Sequence, residues 1–370
     1  MIVVILFSAL CLILTYLESV YKLKFGMLFG FVGITILYCI HFDYGTDYMT
    51  YYSEYLNVTR YSYSLNDFFK LDNWHNGEYG WALLNWLFSK VSVPAGFFIL
   101  VAFNSIIENA IIYSFIRNKV DSKNWTFSVF LYLFTPSFYL LGFSMMRQWL
   151  AMCLFLLAYD FLSNKRFIWS LLIIYIASTI HQTAIILFPF AFVGYLPMRF
   201  SKFYSLFFLF LFVLLMFEGE VLNSALGLFM AQSEVAENYV TNYTVNAQYD
   251  ATETFRIGFL LNIIPFVLSV YYLLKSNNRE KSLMVLIACV GTIVIPFSQV
   301  LPMVKRLSLY FSLLSIGTFP IVYSAFNDKK IKYVFICILI FMQFVGYWGF
   351  MHDPSYVGHY LEFNTVFSLL

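Results

Sequence analysis

Apolar residues run along this chain in long blocks with little polar alternation, broken by short clusters of charge. A helix that crosses a bilayer needs about 20 mostly apolar residues, and blocks of that order recur from Ile2 nearly to Phe350. The pattern predicts spans over residues 2–17, 25–41, 95–116, 125–141, 146–162, 167–180, 183–196, 203–218, 257–274, 283–299, 307–325 and 333–350. Twelve spans place both termini on one side. The pair 167–180 and 183–196 is short for full crossings, which suits tilted, kinked or partly re-entrant segments.

The expected fold class is an all-α polytopic integral membrane protein of about 12 transmembrane helices, forming a single membrane domain over residues 1–370. Composition agrees: 61% of residues are hydrophobic and 11% charged, which excludes an ordinary soluble domain and leaves no stretch for a large one. The first block lacks a preceding basic residue and a following small-residue cleavage site, so it is expected to be retained as a span. The five cysteines, Cys11, Cys39, Cys153, Cys289 and Cys337, all fall in apolar runs without CxxC or Cys/His spacing. Neither a disulfide nor a metal or other cofactor is expected from them.

Charge distribution supplies the orientation. The loops with Lys22 and Lys24, Arg117 to Lys123, Lys165 and Arg166, Arg199 and Lys202, Lys275 to Lys281, and Lys329 to Lys332 hold 15 of the 22 basic residues. By the positive-inside rule these alternate loops face the cytoplasm. The same count decides the amphipathic stretch 79–93, interrupted by Asn85 and Lys90 and followed by Pro94. As a span it would put Arg117 to Lys123 outside, so it is expected to lie on, or dip into, the outer face. Two outer loops are long: residues 42–94, rich in Tyr, Trp, Asn and Asp, and residues 219–254, which hold Glu234, Glu237, Asp250 and Glu253.

Against this bias, Arg60, Lys70, Lys90, Arg147, Arg256, Lys305 and Arg306 fall outside, as do all five histidines, His41, His75, His181, His352 and His359. Arg147, Arg256 and Arg306 stand at the outer ends of separate spans. A guanidinium stays charged and grips phosphate oxygens in a bidentate way, so the three are candidates to hold a phosphate or diphosphate at headgroup depth. The simpler account is that each snorkels to lipid headgroups.

His181, in the turn SerThrIleHisGlnThr, suits a general base or a sugar hydrogen-bond partner; as an interfacial or capping histidine it needs no such role. Asp47 and Glu78 sit among aromatic residues, an arrangement that fits sugar binding or proton abstraction, or plain solvated loop acids. Glu108, with Asn104 one turn earlier, lies inside an apolar run and reads as a helix-to-helix hydrogen-bond pair.

The ordered set GlyThrAspTyr with Tyr51, GluTyrGly with Leu84 and Asn85, MetArgGln, IleHisGlnThrAla, and LysArgLeu with Tyr310 and Phe311 resembles the EpsG-like, Wzy-type bacterial polysaccharide polymerases from about residue 41 to 312. Tyr79 departs from the proline frequent after the glutamate in that family. The resemblance implies a fold similar to GT-C-like membrane glycosyltransferases. It also implies O-antigen or capsule polymerisation at the outer face of the cytoplasmic membrane. There a growing glycan on undecaprenyl diphosphate would pass to the sugar of an incoming lipid-linked repeat unit. The implied partners are undecaprenyl-diphosphate-linked oligosaccharides, membrane lipids and a chain-length regulator, with no nucleic acid.

On this reading Arg147, Arg256 and Arg306 bind the diphosphate, and His181, Asp47 and Glu78 are the pool of catalytic and acceptor-binding residues. Alternatives are an O-antigen-ligase-like transferase and a flippase of lipid-linked sugars. No internal repeat is visible, and apart from Glu108 the charges lie at the faces, which weakens the transporter reading. With no DxD-like carboxylate cluster outside, the arginines replace a metal. Activity of the purified protein is therefore expected to survive chelation; loss with chelator and recovery with magnesium or manganese would overturn that.

Overall fold

The computed structural model describes residues 1–61, 78–91, 93–193, 207, 209–211, 254–295 and 304–369. The described residues are almost wholly helical, with one two-stranded antiparallel pair. Among the described residues, three helices are long and apolar enough to cross a membrane: α1 (Ile2–Tyr21), α5 (Ala95–Lys119) and α15 (Lys329–His352). A fourth crossing results if the bent pair α13 (Val304–Ser312) and α14 (Ser315–Ala325), with its 48° bend, is one span.

The remaining helices are α2 (Gly26–Ile40), α3 (Tyr48–Tyr61), α4 (Tyr79–Phe88), α6 (Trp125–Phe134), α7 (Tyr139–Gly142), α8 (Met146–Ser163), α9 (Phe167–Ile180), α10 (Phe188–Val193), α11 (Thr254–Lys275), α12 (Arg279–Val294) and α16 (Pro354–Tyr360). An all-α chain with several membrane-crossing helices is thus the architecture at this level. The expected span 203–218 lies almost entirely outside the described residues, as does the loop 219–254 apart from Thr254.

The expected single span over 125–141 is a broken helix. Pro136 has no N–H to give and disfavours helical backbone in the residue before it; Thr135 is accordingly extended and caps α6. The amphipathic stretch 79–93 yields α4, whose 10 residues measure about 15 Å, half of a hydrocarbon core. Over residues 183–193 the chain forms a 3₁₀ segment, Gln182–Leu187, followed by α10. Within the outer loop 42–94 the structure adds a helix, α3, where the sequence pattern indicates only a polar segment.

The contacts divide the chain into two units, residues Met1–Tyr195 with Gly346–Leu370, and Leu196–Val345. In the first, α1 pairs with α2, α2 with α5, α5 with α8, α8 with α9, and α1 also with α6. Small residues allow the closest approach, as between membrane helices generally. Gly30 of α2 faces α1 so tightly that a Cβ would lie 2.8 Å from Cys11 Sγ.

At one end of this unit, charged groups join helix termini. Arg117 Nη1 donates to Glu18 Oε1 at 2.7 Å, the Met27 N–H donates to the other oxygen at 2.8 Å, and Lys119 pairs with Asp160 at 2.7 Å. The loops beginning at Lys22, Arg117 and Lys165 all belong to this end. In the second unit α12 packs on α11, α13 and α14, and Gly291 lets α12 approach the Ser308 carbonyl.

Because Cys11 and its backbone already fill the space beside Gly30, Gly30→Val is expected to destabilise the α1–α2 pair by about 1–3 kcal/mol through overpacking. A thermal unfolding midpoint in detergent that matches the parent protein would refute this.

Candidate active site

The residues around Arg147 are placed by a compact aromatic cluster. Phe143, fully buried, stacks on Tyr38 at 3.9 Å and meets His41 and Tyr44 edge-on at 5.1 and 5.0 Å. The Tyr38 hydroxyl donates to the Tyr139 carbonyl, locking α2 to α7. Ser144 then ties in the outer loop: its Oγ lies 2.8 Å from Thr46 Oγ1 and accepts the Asp47 N–H at 2.9 Å. Gly45 makes this approach possible: its φ is +117°, and a Cβ there would lie only 2.8 Å from Ser144 Cβ. Its N–H donates to the His359 carbonyl at 3.2 Å. The strand pair β1 (His41–Phe42) with β2 (Asn364–Thr365), in the register His41 opposite Thr365, holds the C-terminal segment alongside.

Arg147 follows in the first turn of α8, where the helix dipole disfavours a cation. A carboxylate compensates. Arg147 Nη1 donates to Glu78 Oε2 at 2.8 Å, while Glu78 Oε1 lies 2.6 Å from His181 Nδ1 and accepts the Gln182 N–H at 3.1 Å. Glu78 immediately precedes α4, and Gly80, which has no room for a Cβ against Thr179, lets α4 reach the end of α9. His181 is available because α9 ends there, its backbone turning extended before the 3₁₀ segment. The Glu78 side chain is 7% exposed, whereas those of Arg147 and His181 are 25% and 21% exposed. The buried anion therefore presents two partners that still reach the surface.

Burial pushes the Glu78 carboxyl up, but the His181 hydrogen bond, the Arg147 charge and the Gln182 N–H outweigh it and hold the carboxyl below the ordinary glutamate value. The Arg147 guanidinium lies over the Tyr51 ring, 5.2 Å from its centroid, and its Nε–H is buried without a hydrogen-bond partner. Burial, opposed by Arg147, pushes the Tyr51 hydroxyl up to about 12, so it remains a donor at neutral pH.

Of the six candidates from the sequence, the structure brings Arg147, Glu78 and His181 into direct contact. Asp47 stands beside them, close enough to act electrostatically on Tyr51 and Glu54. Arg306 belongs to the second unit, and the Arg256 side chain and His75 lie outside what is described. Glu54 and Ser144 join the site without having been candidates from the sequence, and Tyr51, named there only for the family resemblance, stands with them. Glu54 and Tyr51 share the GlyThrAspTyr-to-helix stretch, and a helical reading of it would have aligned Asp47, Tyr51 and Glu54 on one face. Among the described residues, no group of three or more His, Cys, Asp or Glu is arranged to hold a metal ion.

Chemically, a carboxylate on Nδ1 selects the tautomer in which His181 Nε2 has the lone pair. That is the arrangement of an oriented general base. Its carboxylate is in turn held by a fixed cation.

Because the folded Glu78 carboxyl titrates below 4.5, its contribution to stability is fully present above that pH and is lost as the pH falls through the folded value. The stability difference between the parent protein and Glu78→Gln should therefore be constant at neutral pH and shrink on acidification below 4.5. Unfolding in detergent across that range checks this; a difference that grows on acidification contradicts it.

Comparison with known proteins adds one match. The EpsG family model matches residues 25–363, nearly the whole chain and all three contacting site residues. No curated protein and no solved structure matches.

Proposed function

Because the chain belongs to the EpsG family, a family of polysaccharide-synthesis membrane proteins, we propose that it is a polysaccharide polymerase. In this reading it transfers a growing glycan from polyprenyl diphosphate to a sugar hydroxyl of an incoming lipid-linked repeat unit. The observation that carries the reading is the Glu78 carboxylate shared between Arg147 and His181.

The reaction needs a base for the acceptor hydroxyl and fixed positive charge for the departing diphosphate. His181 Nε2 takes the hydroxyl proton as the acceptor oxygen bonds to the anomeric carbon. The bond from that carbon to the diphosphate oxygen breaks, and the lipid diphosphate leaves with the electron pair. Glu78 stabilises the imidazolium that forms. Arg147, whose side chain is 25% exposed, offers its guanidinium to a phosphate oxygen of the leaving diphosphate. Asp47 serves as an acceptor-binding carboxylate or alternative base. Twelve spans with the basic loops inside would place this chemistry at the outer face of the cytoplasmic membrane, within reach of a lipid-anchored substrate.

A strain lacking the protein is expected to retain single-repeat surface glycans and to lose the longer ladder; loss of all surface glycan would instead indicate a flippase. On complementation, His181→Ala should lower elongation by about 10²-fold or more, as for loss of a general base. Arg147→Lys keeps the charge but loses the planar fork, and should cost about tenfold or more. A full ladder from either variant would refute its assigned role.

A further inference from the structure

Among the described residues, Glu54 is the carboxylate near Arg147 that the proposed mechanism leaves unused. It lies one turn beyond Tyr51 on α3, a helix whose buried face is Tyr48, Tyr51, Tyr55 and Val58. Tyr51 packs edge-on against Trp81 of α4 at 5.5 Å and carries the Arg147 guanidinium over its ring. Glu54 thus faces the same guanidinium as Glu78, from a different helix, and interacts electrostatically with Arg147, Glu78 and Asp47.

The two glutamates are differently furnished. Glu78 has a partner on each oxygen. Glu54 Oε2 is shut away from solvent and, like Nε1 of the neighbouring Trp81, lies outside hydrogen-bond geometry with any protein group, although the residue as a whole is half-buried. An enclosed carboxyl oxygen left unpaired is costly, so a purely structural acid would be paired or replaced. Burial raises the Glu54 carboxyl above its ordinary value, with Arg147 and the Trp81 indole opposing and Glu78 and Asp47 reinforcing.

We propose that Glu54 binds a hydroxyl of the acceptor sugar in the Arg147–Glu78–His181 site. A carboxyl can accept a hydroxyl proton on either oxygen, the contact that a sugar hydroxyl requires. Rotation about its last torsion, which is soft and nearly two-fold, exchanges the enclosed oxygen with the other. The groups that face it from the packed elements are Asp47 and Tyr51 of the α3 region, Glu78 and Trp81 of the α4 region, and Arg147 of α8. This inference rests on the polymerase reading above.

The test uses the purified full-length protein with the lipid-linked repeat unit extracted from the deletion strain, measuring initial rates of elongation. Glu54→Ala is expected to raise KM about tenfold, the loss of one good hydrogen bond, with kcat changed far less. Glu54→Gln, which keeps a donor and an acceptor, should stay near the parent KM. An unchanged KM in the Ala variant, or a Gln variant as impaired as Ala, overturns the assignment. If the Ala variant does not fold, Glu54→Asp decides: it draws the carboxyl back by one methylene and should raise KM with kcat changed far less, and an unchanged KM overturns the assignment. If the parent protein does not elongate the repeat unit at all, the polymerase reading fails instead.

Discussion

A buried carboxylate must find partners, and at Glu78 that requirement organises the site. One oxygen takes the Arg147 guanidinium; the other takes the His181 ring and the Gln182 amide. Three separate stretches of chain meet through it: the approach to α4, the first turn of α8 and the turn after α9. An unpaired carboxylate at this depth would cost several kcal/mol, so the three stretches are held by mutual need as well as by packing. The same pairing orients the imidazole and offsets the unfavourable position of a cation at a helix start.

The support behind that interaction is aromatic and backbone-based. Phe143 sits in a cluster with Tyr38, His41 and Tyr44, and Tyr44 in turn packs against Tyr360 and Phe363 of the C-terminal segment. Ser144 then carries the positioning outward to Thr46 and Asp47. Side chains locked by packing hold a catalytic constellation more closely than a free loop does. The Gly45 N–H bond to the His359 carbonyl and the short strand pair add the C-terminal segment to this frame.

Glu78 and Glu54 both act on the Arg147 guanidinium, and Asp47 acts on Glu54. Their surroundings differ in solvation and in partners. In the proposed reaction the anion fixed on His181 supports proton abstraction, while Glu54 holds a hydroxyl of the acceptor. Arg147 mediates between them, since it lowers the cost of negative charge at both.

By itself, the sequence determined what depends on composition and local periodicity. It showed a mostly helical membrane chain, the basic ends of the helices, the unusual Arg147, and Glu78 and His181 as acids and bases worth weighing. These are legible because hydrophobic length and charge bias act residue by residue. Some local signals were present but misread: Pro136 breaks the run at 125–141, and the Tyr-rich stretch after Asp47 is a helix whose polar exterior hid its buried tyrosines. Which residues meet was decided only by the tertiary structure. Glu78 and His181 are 103 positions apart, and their contact depends on a glycine-sized gap between α4 and α9 that leaves no mark in hydropathy. The contrast between Glu78 and Glu54 arises in the same way, because desolvation and hydrogen-bond supply belong to the place a side chain occupies, not to its identity.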